Sequence, residues 1–112
     1  MQNHYETVFI LKPVLSEKEI ADTVQFFKTL MQKEEATILY EEKWGMKKLA
    51  YEIKKHRTGY YHYFEFKSDS SFIAKLATSY KQNEHIIRFM TIILDKHAIA
   101  YNQNRRNQPK NQ

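Results

Sequence analysis

The chain has 112 residues and no cysteine, which bounds it to one domain with a real hydrophobic core and excludes disulfides and thiolate metal sites. Its net charge of +5 is uneven: residues 13–42 hold seven acids against three lysines, charges in residues 43–57 are almost all basic, and after Asp95 come Lys96, Arg105, Arg106 and Lys110 with no acid. That asymmetry implies a face turned toward a polyanion; with no charged leader and no apolar run near the ~20 residues of a membrane helix, the expected setting is cytoplasmic with no membrane partner.

Residues 5–11 (YETVFIL) are aromatic and β-branched and read as a first strand, closed by Pro13. Ser16 and Glu19 form a capping-box pattern, and Ile20, Val24, Phe27 and Met31 then share one stripe of a helix reaching about Glu34. A second strand starts at residues 37–40, bends or bulges at Gly45, and resumes through Leu49, Tyr51 and Ile53. Residues 54–58 are the expected connection to a third strand at 59–67. There, alternation assigns Phe64 and Phe66 to the core, with Tyr60 and His62 on their side. Tyr61 and Tyr63 fall on the opposite, open face with Glu65 and Lys67. Ser68-Asp69-Ser70-Ser71 starts a second helix whose stripe is Ile73, Leu76, Ala77 and Tyr80 and which ends near Asn83. Residues 86–94 (IIRFMTIIL) form a fourth strand, the expected end of the core. Seven of the last eleven residues are Asn or Gln. The division expected is therefore a folded domain at 1–97 and a flexible, polar, basic tail at 98–112.

The order β-α-β-β-α-β gives an α+β, ferredoxin-like sandwich, a four-stranded antiparallel sheet with two helices on one face. Its most informative stretch is residues 43–66. Lys43, Lys47, Lys48, Lys54, Lys55 and Arg57 are interleaved there with Trp44, Tyr51, Tyr60, Tyr61, Tyr63, Phe64 and Phe66. Cations neutralise phosphates and release counterions, and flat rings stack on unpaired bases, so the pattern points to RNA. Tyr61 and Tyr63 make an exposed aromatic patch expected to meet a protein partner or an unpaired base.

Catalysis finds little support. Two glycines cannot build a phosphate-cradling loop, and the five histidines lack metal-ligand spacing, so neither cofactor nor metal is expected. Glu41 and Glu42 are adjacent on a strand and point to opposite faces, so they cannot share one substrate atom. Acyl phosphatases have the same element order, but no glycine-rich loop follows the first strand. The chain is expected to be no enzyme and to take no small-molecule substrate. Val8-Phe9-Ile10 and Gly59-Tyr60 suggest the RNA-recognition motif, a stand-alone single-stranded RNA-binding module, until Tyr61, His62, Tyr63 and Glu65 break the match.

A closer likeness runs over about ninety residues. Tyr5-Glu6, the strand ending at Pro13, Glu41-Glu42-Lys43-Trp44-Gly45-Met46-Lys47-Lys48-Leu49-Ala50-Tyr51-Glu52-Ile53, Gly59-Tyr60 and Ile86-Ile87-Arg88-Phe89-Met90 follow one another in the right order. With these motifs the chain resembles the bacterial small-subunit ribosomal protein S-six family. The resemblance implies a structural constituent of the small ribosomal subunit that binds ribosomal RNA on the platform as a heterodimer with ribosomal protein S-eighteen. It implies RNA contacts for Lys47, Lys48 and Arg88. Where some members carry further cations this chain has Asn3, His4 and Ile87, and Lys54, Lys55 and Arg57 are the expected compensation.

Overall fold

The computed structural model describes residues 2–106. Strand β1 (Gln2–Leu11) is followed by helix α1 (Glu17–Lys33), strands β2 (Thr37–Ile53) and β3 (His56–Asp69), helix α2 (Ser71–Gln82), strand β4 (Ile86–Ile93) and helix α3 (Lys96–Arg106). The strands form one antiparallel sheet in the order β2-β3-β1-β4. Helices α1 and α2 cover one face of it, the expected ferredoxin-like arrangement.

Helix α1 starts where the capping box put it. The Ser16 hydroxyl accepts from the Glu19 amide, and the Glu19 carboxylate accepts from the Ser16 amide at 2.9 Å. Its buried Val24, Phe27 and Met31 meet Phe72, Leu76 and Tyr80 of α2 over a floor of Phe9, Leu11, Phe64 and Phe66. Phe9 is fully buried at the centre, with ring centroids of Phe27, Tyr80 and Phe64 at 5.4, 5.3 and 6.1 Å. Burying a ring of that size stabilises the fold by about 2–3 kcal/mol. On α2, Phe72 reaches the core ahead of Ile73, which is only partly buried.

The register of the β2–β3 hairpin shifts in three places, between Ile38 and Tyr40, between Lys43 and Gly45, and between Lys48 and Ile53. At the second shift Gly45 takes φ +80°, the left-handed conformation that glycine adopts without penalty. At the far end the connection is tighter than the expected 54–58. Ile53 pairs with His56, leaving a two-residue turn in which Lys54 and Lys55 have φ +49° and +70°. Positive φ at both central positions is the type I′ hairpin turn, whose twist matches the strands.

Beyond the end of β1 the hairpin tip bends over the sheet, so that Leu49 and Ile53 pack on Ile10 and Ile87. A register shift between Ile10 and Leu11 frees Ile87 for this second cluster. Gly59 is required here for a different reason, because a Cβ on it would lie 2.3 Å from Ile10 Cγ2.

The chain does not end its ordered structure with β4. The first part of the expected tail is α3, started by an Asp95 carboxylate that accepts from the Ala98 amide at 2.8 Å. Residues 107–112 of that tail lie outside the described residues. Helix α3 crosses the face left free by the other two helices. Asn102 is buried there, and Arg106 reaches Glu65 and Tyr63.

Candidate nucleic-acid interface

Lys43, Lys47, Lys48, Lys54, Lys55, Arg57 and Arg88 are all exposed, and among the described residues none is paired with a carboxylate. Seven exposed cations spread along the hairpin and on β4 repel one another, a cost that a phosphate backbone relieves. The bent tip brings some of them together. The Arg88 guanidinium donates to the Tyr51 hydroxyl and lies 5.7 Å from its ring centroid. Lys54 and Arg88 share a cleft of about 300 Å³ with Lys81 from the last turn of α2. Lys81 was not singled out in the sequence, since a lone lysine at a helix end carries no signal until the fold places it beside Arg88. Lys47 stands apart from that cleft, its Nζ 4.9 Å from the Trp44 ring and 5.6 Å from that of Tyr61.

The aromatic patch differs from expectation. Tyr63 is on the predicted face but only 2% exposed, so it is not an open stacking platform; Tyr61 is half-buried. Trp44 stacks on Tyr63 at 5.3 Å with planes 15° apart, Tyr40 meets Tyr63 edge-on, and Tyr61 lies 6.4 Å from Trp44. Helix α3 closes the end of this row with the Arg106 guanidinium 3.7 Å from the Tyr40 ring centroid. The Tyr63 hydroxyl donates to Glu6 at 2.9 Å, and burial together with that carboxylate pushes its pKa up. An RNA-recognition motif needs the rings of its two central strands free, and here the central ring is covered.

Two carboxylates that the sequence left as polar strand positions are structural centres. Glu65, 2% exposed, takes His4 Nε2 on one oxygen at 2.5 Å and Arg106 on the other. Burial opposes its ionisation, yet Arg106 and His4 hold it below the usual carboxylate range. On the helix-covered face, Glu41 takes Lys28 at 2.8 Å and the fully buried His62 at 2.7 Å. Burial lowers the His62 pKa despite Glu41; Nε2–H donates to the Glu41 carboxylate, and among the described residues Nδ1 has no partner. The adjacent Glu42 points to the opposite face and accepts from Trp44, as strand alternation requires.

These centres hold elements together and offer no nucleophile or open acid–base pair. Among the described residues no three His, Cys, Asp or Glu side chains group as a metal site, and no helix is long and apolar enough to cross a membrane. What the surface can do is neutralise phosphates along the hairpin and its bent tip.

Comparison with known proteins agrees with that geometry. The family described as Ribosomal protein S6 matches residues 4–93. The chain is 45% identical over 104 residues to the small ribosomal subunit protein bS6 of Flavobacterium psychrophilum, covering 93% of this chain and 92% of that one. It is 47% identical over 109 residues to the bS6 of Bacteroides thetaiotaomicron, covering 97% and 96%. The crystal structure of 30S ribosomal protein S6 from Thermotoga maritima superposes with a TM-score of 0.82 at 28% identity, over 96% of this chain and all of that one (100%).

Proposed function

The chain belongs to the ribosomal protein S6 family, structural and non-enzymatic proteins of the small ribosomal subunit, and on that premise we propose that it binds small-subunit ribosomal RNA through the β2–β3 hairpin. Lys47, Lys48, Lys54, Lys55, Arg57 and Arg88 supply the phosphate contacts, and Lys81 joins them in the cleft at the hairpin tip. The observation that carries this reading is the band of exposed, unpaired cations on an element held rigid by Leu49, Ile53, Ile10 and Ile87. Fixed cations lose less entropy on meeting phosphate than cations on a loose loop.

The protein partner in this reading is ribosomal protein S-eighteen, bound as a heterodimer on the platform of the subunit. Tyr61, with Trp44 beside it, remains the candidate contact for that partner or for a base. Tyr63 acts from beneath, as the ring on which Trp44 rests.

Sucrose-gradient sedimentation of the tagged protein tests the assignment. Stoichiometric migration with small subunits, lost only when they are dismantled, is expected. A protein that stays at the top of the gradient, or leaves in moderate salt, contradicts it.

A further inference from the structure

Beside the closed aromatic row lies a slot of about 330 Å³ lined by Tyr40, Glu42, Trp44, Arg105 and Arg106. Trp44 Nε1–H donates to one Glu42 oxygen at 2.8 Å, and the Tyr40 hydroxyl donates to the other at 3.3 Å. Those bonds fix the carboxylate and leave lone pairs on both oxygens. Among the described residues Glu42 has no cationic partner, unlike Glu34, Glu41 and Glu65. The carboxylate lines the slot together with Arg105 and Arg106, and its remaining lone pairs suit a ligand that donates two hydrogen bonds and carries an anion beside them.

We propose that this slot holds one unpaired guanosine nucleotide of an RNA strand, an inference that rests on the RNA-binding reading above. Guanine presents two adjacent donors, N1–H and N2–H, that match the two oxygens of a carboxylate. Adenine and cytosine offer one amino donor beside an acceptor, and uracil one imino donor between two acceptors. The Trp44 indole rests on Tyr63 by one face, with Lys47 Nζ 4.9 Å from its ring, and the flat wall for the base is the part of the indole that lines the slot. Arg106 is committed to Glu65 and Tyr40, whereas Arg105 is exposed, lines the slot, and among the described residues has no carboxylate partner, its guanidinium lying 5.9 Å from the Tyr101 ring centroid. Arg105 is therefore the cation for the nucleotide's phosphate.

The chain has a single tryptophan, so quenching of Trp44 fluorescence reads the slot directly. The full chain is titrated with the pentanucleotides UUGUU, UUAUU, UUCUU and UUUUU and with free guanosine 5′-monophosphate. UUGUU is expected to bind about ten-fold tighter than the other three, the discrimination of a good bidentate pair. Glu42→Gln, which turns one acceptor into a donor, is expected to erase the preference. Arg105→Ala is expected to weaken all four pentamers alike. Equal binding of the four, or a guanine preference that survives Glu42→Gln, overturns the proposal. Free nucleotide binding as tightly as UUGUU also overturns it, since the site then takes a mononucleotide and no strand. Lys54→Ala/Lys55→Ala, remote from the slot, separates the two readings. It lowers affinity for ribosomal RNA if the hairpin binds, and leaves the pentamer preference untouched either way.

Discussion

Arg106, at the end of α3, donates to the carboxylate of Glu65 in the middle of β3, 41 residues earlier in the chain. His4 of β1 holds the other oxygen, so one buried acid ties the C-terminal helix to both central strands. The contact also removes a negative charge from the face beside the basic hairpin. Glu6 and Glu42 on the same face are held instead by neutral donors, Tyr63 and Asn102 for the first and Tyr40 and Trp44 for the second.

Arg106→Ala leaves Glu65 buried with His4 and the Tyr63 hydroxyl, a loss of about 2 kcal/mol for a charge-assisted contact. Urea unfolding is expected to show it, and amide exchange to show α3 opening while α1 and α2 stay protected. Deleting residues 101–112 removes Asn102 and Arg106 together, so Tm is expected to fall by roughly 4–8 °C per kcal/mol lost. An unchanged Tm means that α3 does not hold the sheet.

Stability is expected to fall on the acid side in two stages. Burial holds the His62 pKa below its ordinary 6.5, so below that pH the unfolded chain takes up a proton that the folded chain refuses, and stability declines. Glu41 and Glu65 both ionise below the usual carboxylate range, Glu41 against burial through Lys28 and His62. Their contribution is complete above an unfolded carboxylate's pKa and is lost as pH falls through the lowered folded values. His62→Phe is expected to abolish the first decline and leave the second, as read from urea midpoints between pH 8 and 3.

The two glycines separate backbone strain from steric collision. Gly45→Ala meets nothing within 4 Å but must hold φ +80°, at a cost of about 1–2 kcal/mol. Gly59→Ala drives a methyl into Ile10, an overpacking cost of about 1–3 kcal/mol. Ile10→Ala in the same chain is expected to relieve Gly59→Ala and to do nothing for Gly45→Ala. A double-mutant cycle in urea decides this.

The hairpin turn sets stability against binding. Lys54 and Lys55 both hold positive φ, where Asn-Gly is the preferred pair. Lys54→Asn/Lys55→Gly is expected to raise Tm while weakening RNA binding, with the log-affinity-against-log-salt slope shallower by roughly two units. A more stable variant that binds RNA equally well shows that the turn lysines are not phosphate contacts.

Strand alternation and the Ile20–Val24–Phe27–Met31 stripe were enough to place the core, because burial on one face imposes a period that survives in the residues. The capping box at Ser16 and the bulge at Gly45 were legible for the same reason, each being a local demand on residue type. Helix α3 was not. Its buried surface is mostly polar, with Asn102 meeting Glu6 and Arg106 meeting Glu65, and such contacts have no hydrophobic period. Asp95 was the one available signal, an N-cap ahead of an Asn- and Gln-rich stretch that composition alone reads as a tail. Tyr63 was assigned the right face and the wrong exposure, since parity says which way a ring points and nothing of what lies over it. In the interface, the exposed lysines could be named from charge. Lys81 and the Glu42 slot could not, because they exist only after distant elements meet.

The most direct test is the salt dependence of binding to small-subunit ribosomal RNA, measured for the native chain and for Lys47→Ala/Lys48→Ala. Each lysine that neutralises a phosphate adds close to one counterion to the slope of log affinity against log salt. The variant is expected to fold with unchanged helix and strand content, to bind more weakly, and to show a slope reduced by roughly two units. A variant with intact folding and an unchanged slope contradicts the assignment of this hairpin to the RNA backbone.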